Sequence, residues 1–189
     1  MERLRVAAAR TTVAAIGAVN YDEIFMLTGG LRDDGIAHVS VKRVLAGGHA
    51  ANCASALAQL EFSTAVIGSV GKDGMGRWLI RDLKKRGIDV SGVLAVDAPT
   101  GRAIIPVFES GHFMIIERGA NDALVDLPAN LLTRYSMIAL FDPALPALEH
   151  LAHLLSVSDR PPDVYWTPGG HYVSHPIVRR ILPHLRAIF

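Results

Sequence analysis

Four short apolar runs constrain this chain most. Val13 to Val19, Thr64 to Val70, Ser136 to Phe141 and Val164-Tyr165-Trp166 are nearly uniform in apolar character instead of alternating. Runs of that length and composition read as strands buried on both faces, the kind found in parallel sheets covered by helices. Helical segments lie between them. Ala50 to Leu60 is alanine-rich with strong helix propensity. Met75, Leu79, Ile80 and Leu83 recur at helical spacing, which predicts a helix from about Met75 to Arg86 with Gly87 as its C-cap. Ala144 to Leu155 reads as a further helix, and a last one is predicted from about His175 to Arg186. The alternation puts the chain in the α/β class, with a mostly parallel sheet flanked by helices.

Two regions break that rhythm with strands alone. Ile24 to Leu27 and Ile36 to Leu45 are separated by the turn signals Gly29-Gly30 and Asp33-Asp34-Gly35. Arg102 to Glu109 and His112 to Glu117 flank Ser110-Gly111 as a hairpin would. Two insertions of one kind predict a small separate sheet, a lid, formed from segments at about 24–45 and 102–117. Val93 to Val96 is a short strand between them. With 189 residues, half of them apolar, residues 1–189 are expected to form a single domain with a sizeable core.

Charge narrows the partners. Nineteen basic residues against eighteen acidic ones, with 6% aromatic residues, predict neither a nucleic-acid surface nor an acidic-membrane surface. The apolar stretch Val6 to Ala9 is too short for a signal core, and no run approaches membrane-spanning length. A single cysteine, Cys53, fits a reducing compartment. A soluble, cytoplasmic protein is the expectation.

The densest motif is Gly47-Gly48-His49-Ala50-Ala51-Asn52-Cys53-Ala54. Two glycines at a helix entry let a ligand approach the backbone, and Asn52, one turn in, offers a donor and an acceptor. A tight loop before a close-packed helix explains the same glycines structurally. Asn20 and Asp22 lie past the first strand, where parallel sheets bind ligands and where a carboxylate can accept two hydroxyl hydrogen bonds. An Asx-turn leaving the strand is the structural alternative.

These blocks occur in order with Gly17-Ala18-Val19-Asn20-Tyr21-Asp22 first. The Gly47–Ala54 motif, Ile67 to Gly76, Thr100 to Ile105 and Gly119-Ala120-Asn121 follow. Together they resemble the N-terminal part of the PfkB/ribokinase family of carbohydrate and nucleoside kinases. The resemblance implies a ribokinase-like fold and an ATP-dependent kinase transferring the γ-phosphoryl group to a substrate hydroxymethyl. It also implies that Asn20, Asp22, Gly47, Gly48 and Asn52 bind a sugar or nucleoside. Ala103 and Ile105 would press on the substrate's apolar face, from a lid that excludes water. A homodimer through the lid is a further implication, as are ATP and Mg2+ as cofactors.

Departures limit what is carried over. Family members carry an Asn-x-x-Glu motif for magnesium and a Gly-Ala-Gly-Asp segment holding the anion hole and catalytic base. Gly-Ala-Gly-Asp does not occur here, and Asn20-Tyr21-Asp22-Glu23 matches Asn-x-x-Glu only as text, on the substrate side. The expectation is a chain truncated at the C-terminus, with no catalytic residue, no metal ligand, and no turnover alone. A non-catalytic sugar- or nucleoside-binding remnant and a non-functional fragment stand beside that reading. Glu61 occupies a position where the family has a small residue, which suggests an altered turn. Trp166-Thr167-Pro168-Gly169 lacks the Asp-x-Asn-x-Arg run of fructokinase-like relatives, which disfavours fructose.

Other motifs resolve structurally. Gly71-Lys72-Asp73 fails the P-loop pattern because Asp73 follows Lys72. His150-x-x-His153 and His171-x-x-x-His175 have metal-ligand spacing but no nearby cysteine, so they read as ordinary helix and loop histidines. Cys53 reads as a small buried hydrophobe.

Overall fold

Strand β1 (Thr12–Ile16) lies inside a six-stranded, wholly parallel sheet, with β4 (Ser63–Gly71) on one side and β9 (Met137–Leu140) on the other. Beyond β4 lies β5 (Asp89–Val96); beyond β9 lie β10 (Asp163–Trp166) and the edge strand β11 (Leu185–Ile188). The computed structural model describes residues 11–28, 35–172 and 174–189, and only the backbone of His171. The N-terminal ten residues and the turn signals at Gly29-Gly30 and Asp33-Asp34 therefore lie outside the described residues.

The apolar character of β1 follows from its place. Ala14 and Ile16 pack into one core with Ile138, Leu140, Leu148, Leu151 and Trp166. Ala15 faces a second core with Ala50, Ala51, Ala54, Leu79 and Leu83. Helices α1 (His49–Gln59) and α2 (Gly74–Lys85) cover that second face, and α4 (Leu145–Ser156) covers the first. The short α3 (Leu131–Arg134) precedes β9. The three buried alanines of α1 let the helix axis come close to the sheet. None of the described helices is long and apolar enough to cross a membrane.

The strand-only regions form a second sheet in the order β3-β2-β6-β7, with β8 also on β6. Its strands are β2 (Asn20–Thr28), β3 (His38–Gly47), β6 (Arg102–Phe108), β7 (Gly111–His112) and β8 (Ile115–Glu117). Strand β2 pairs antiparallel with β3 and parallel with β6. The sheet starts four residues earlier than the lid segment expected at Ile24, so Asn20 and Asp22 belong to it. The return limb of the hairpin is broken between β7 and β8 at Phe113-Met114.

The C-terminal segment differs from the expected helix at His175–Arg186. Helix α5 covers only Ile177–Ile181, a 3-10 turn spans Leu182–His184, and Leu185–Ile188 becomes β11. Pro183 accounts for the break, since it has no N–H to donate to the helix ladder. The freed backbone pairs with β10, and Phe189 N–H donates to the Trp166 carbonyl at 3.0 Å.

Helices α1 and α2 end in the same Schellman geometry. After α2, Gly87 N–H donates to the Lys84 carbonyl and Ile88 N–H to that of Leu83, with Gly87 at φ +77°. After α1, Glu61 N–H donates to Ala58 and Phe62 N–H to Leu57, but Glu61 itself stands at φ +67°. A side chain in the left-handed region is strained by about 1 kcal/mol. Glu61→Gly is therefore expected to stabilise the chain by up to about 1 kcal/mol, read as a higher denaturation midpoint at unchanged slope. An unchanged or lower midpoint would count against strain at this turn.

Candidate functional site

A cavity of about 160 Å³ lies between the second sheet and the start of α1, lined by Asn20, Asp22, Gly48, His49, Asn52, Ala103, Met114 and Ile116. Strand register builds one wall. Asp22 stands opposite Leu45 on β3 and Ala103 on β6, and Ala103 stands opposite Ile116 on β8, so one cross-strand row faces the cavity. Ile105 lies one row further out, opposite Ile24, and is not among the lining residues. Met114 and Ile116 supply the apolar wall beside Ala103.

The two glycines are close-approach positions. A Cβ on Gly47 would stand 2.2 Å from Asp22 Oδ2, so only glycine leaves that carboxylate room. Gly48 adopts φ +91°, and a Cβ there would stand 2.4 Å from the Ala18 carbonyl oxygen. Gly48→Ala is expected to cost about 2 kcal/mol or more, because left-handed strain and a backbone clash coincide. Chemical denaturation measures it, and a loss below about 0.5 kcal/mol would contradict the clash.

Asn20 is buried and its orientation is held from outside the cavity. Asn121 Nδ2 donates to Asn20 Oδ1 at 2.7 Å, while Val19 N–H donates to Asn121 Oδ1 at 2.9 Å. Asn20 opens β2 opposite Gly47, in extended backbone instead of the Asx-turn alternative. Asn52 projects from the first turns of α1, whose N-terminus at Gly48 carries no side-chain cap.

His49 brings a titratable ring to the same cavity. Its Nδ1 lies 3.0 Å from Asp142 Oδ2, and its ring stacks on Phe141, both just past the end of β9. The bond to Asp142 raises the imidazole pKa, burial opposes it, and the charges of Asp142 and Asp22 raise it further; the net direction is up. Burial pushes the Asp22 carboxyl up, against the opposing effect of His49. A hydrogen-bond acceptor and a protonatable donor therefore share the cavity.

The remaining candidates have structural partners. His150 Nδ1 lies 3.1 Å from the Leu127 N–H and His175 Nδ1 lies 3.2 Å from the Ile177 N–H, so each ring accepts from backbone. Among the described residues no group of three or more His, Cys, Asp or Glu side chains is placed to hold a metal ion. Burial raises the Cys53 thiol pKa, which keeps it protonated. The turn at Gly71–Gly76 does not fit a triphosphate: Lys72 Nζ pairs with Asp97 at 2.7 Å, and Asp73 accepts from the Gly76 N–H. A Cβ on Gly76 would lie 2.1 Å from the Gly71 carbonyl oxygen, so that loop is packed against itself. The Gly71–Gly76 turn is therefore not assigned to a nucleotide phosphate.

A parallel sheet with helices on both faces, and a cavity of mixed apolar and polar lining beyond the carboxyl end of its first strand, make this an α/β fold with a candidate ligand site where such sheets commonly place one. The pfkB family carbohydrate kinase model matches residues 10–147, and the chain belongs to that family. An ATP-dependent ribose-1-phosphate kinase of Halopiger xanaduensis is 37% identical over 114 residues, covering 59% of this chain and 38% of the relative. Arabidopsis thaliana ribokinase complexed with ribose and ATP superposes with TM-score 0.76 at 22% identity, over 94% of this chain and 59% of the other. Burkholderia thailandensis nucleoside kinase in complex with inosine gives TM-score 0.77 at 19% identity, over 94% and 59%. At these identities the two structures show a shared fold. The chain spans less than two thirds of the length of each protein.

Proposed function

We propose that this chain carries the sugar- or nucleoside-binding site of an ATP-dependent kinase that phosphorylates a substrate hydroxymethyl group. The observation that carries the reading is convergence: Asn20 and Asp22 from β2, Gly48 and Asn52 around the start of α1, and Ala103 from β6 share one cavity. In this reading Asp22 accepts hydrogen bonds from vicinal hydroxyls, and Asn20, Asn52 and His49 complete the polar set. Gly47 keeps the Asp22 carboxylate clear, and the second sheet acts as a lid that shields the site from water. Ile105 reaches the substrate only when the lid closes further. Ribose, alone or within a nucleoside, is the favoured substrate class, since ribose-1-phosphate kinase, ribose-bound ribokinase and inosine-bound nucleoside kinase are among the similar proteins. ATP and Mg2+ would be the phosphoryl donor and its counter-ion, held by residues other than those described. Binding without catalysis is the alternative for the chain alone.

A homodimer through the lid is part of the same proposal. Met26, Val41 and Leu45 are each at least 39% exposed, and their register puts them on the Asp22 face of the second sheet, outside the residues that line the cavity. Sedimentation at increasing concentration tests it.

The central test is isothermal titration of the chain with ribose, adenosine and fructose. Saturable binding of ribose or adenosine supports the site. Failure of all three, by a chain that melts cooperatively, would sink it.

A further inference from the structure

The amide knot between the two sheets has a chemical direction. The Val19 N–H can only donate, and Asn121 Oδ1 accepts from it at 2.9 Å. The Arg118 carbonyl can only accept, and Asn121 Nδ2 donates to it at 2.9 Å and to Asn20 Oδ1 at 2.7 Å. Two backbone groups of opposite polarity therefore determine which end of each amide is oxygen. The Asn20 oxygen is engaged, and its NH2 group is left for the cavity, where no described residue accepts from it.

The knot is built tightly. Asn121 is 4% exposed and does not line the cavity. A Cβ on Gly101 would stand 2.1 Å from Asn121 Nδ2 and 2.5 Å from Asn20 Oδ1, so the chain passes here only as glycine. Gly101 in turn accepts from the Tyr21 N–H at 3.1 Å, which ties β2 to the start of β6. Asn121 cannot exchange its ends without losing its bonds to the Val19 and Arg118 backbone, and Asn20 cannot without setting its NH2 against the Asn121 NH2.

We propose that Asn121 is a positioning residue: it turns Asn20 so that the cavity sees a hydrogen-bond donor there, beside the acceptor carboxylate of Asp22. This rests on the reading of the cavity as a sugar site. It specifies the ligand further. One ligand oxygen must offer a lone pair to Asn20 while a neighbouring hydroxyl gives its hydrogen to Asp22, as vicinal oxygens of a sugar do.

Two measurements on the full chain test the proposal. Side-chain amide exchange followed by 15N NMR is expected to show slow exchange for the Asn121 NH2 and fast exchange for the Asn20 NH2. The reverse pattern overturns the proposal whether or not a ligand is found. In titrations with ribose and adenosine, Asn121→Ser is expected to bind about tenfold more weakly, and Asn20→Asp likewise. Asn20→Asp still accepts from Asn121 but buries a second carboxylate beside Asp22, so its melting temperature is expected to fall while it stays folded enough to titrate. Wild-type affinity in Asn121→Ser, with binding lost in Asp22→Asn, overturns the positioning role and leaves the sugar site standing. If the parent chain binds neither probe, the sugar reading falls and the exchange rates alone decide the role of Asn121.

Discussion

Asp22→Asn is expected to abolish the rise in melting temperature that ribose or adenosine produces, while the unliganded variant melts no lower than the parent at neutral pH. The two halves of this result have one cause. Burial raises the Asp22 pKa, and the nearby His49 only partly offsets it. A group whose pKa is raised by folding adds stability below its unfolded pKa and loses that contribution as pH rises through the folded pKa. At neutral pH the ionised carboxylate is thus a cost borne by the free protein, and asparagine of the same shape removes it. Binding responds in the other direction, because a neutral amide replaces an acceptor that takes two hydroxyl hydrogen bonds. Charged hydrogen bonds contribute about 1.5–3 kcal/mol each, so affinity should fall at least about a hundredfold. A ligand-induced shift that survives the substitution would move the site elsewhere.

Asp73→Ala is expected to lower stability by about 3 kcal/mol, the sum of a lost N-cap and a stranded buried hydroxyl. Asp73 Oδ1 accepts from the Gly76 N–H at 2.8 Å and from the Thr100 hydroxyl at 2.7 Å, and Oδ2 accepts from the Thr100 N–H at 2.8 Å. Thr100 Oγ1 then accepts from the Gly71 N–H at 2.9 Å. One carboxylate thereby joins the end of β4, the start of α2 and the approach to β6. Burial pushes its pKa up, but hydrogen bonds from Gly76, from the Thr100 hydroxyl and amide, and from Met75 outweigh that, and the net shift is below the ordinary 3.8. A lowered pKa adds stability above the unfolded value and loses it as pH falls through the folded one. The gap between parent and variant should hold from mild acid upward and narrow in strong acid. Urea denaturation across that range decides it, and a gap that widened in acid would refute the sign.

Much of the candidate site was legible because its parts are local. Gly47, Gly48 and Asn52 sit within six residues, and Asn20 and Asp22 within three. The spacing alone implied a helix entry and a strand exit carrying polar side chains. His49 was visible in the motif without a role, because Asp142 lies 93 residues away. Asn121 was visible in the same way, at the end of Gly119-Ala120-Asn121, yet its partners Val19 and Asn20 lie more than a hundred residues earlier. Met114 and Ile116 had a faint signal, two apolar residues spaced to share one face of a strand. The strand break at Phe113-Met114 obscured it.

By itself the sequence determined the local elements and the class of fold. Apolar runs without alternation require a doubly covered parallel sheet, and glycine after a helical stripe requires a left-handed stop, as at Gly87. Tertiary structure decided the rest. It placed β2 parallel to β6 across about eighty residues, put Asn20 and Asp22 on the second sheet, and turned the C-terminal segment after Pro183 into β11. The physical reason is the range of the interactions. Helix and turn preferences act over three to five residues, whereas strand pairing, the His49–Asp142 contact and the amide knot exist only once distant backbone has been brought within hydrogen-bond distance.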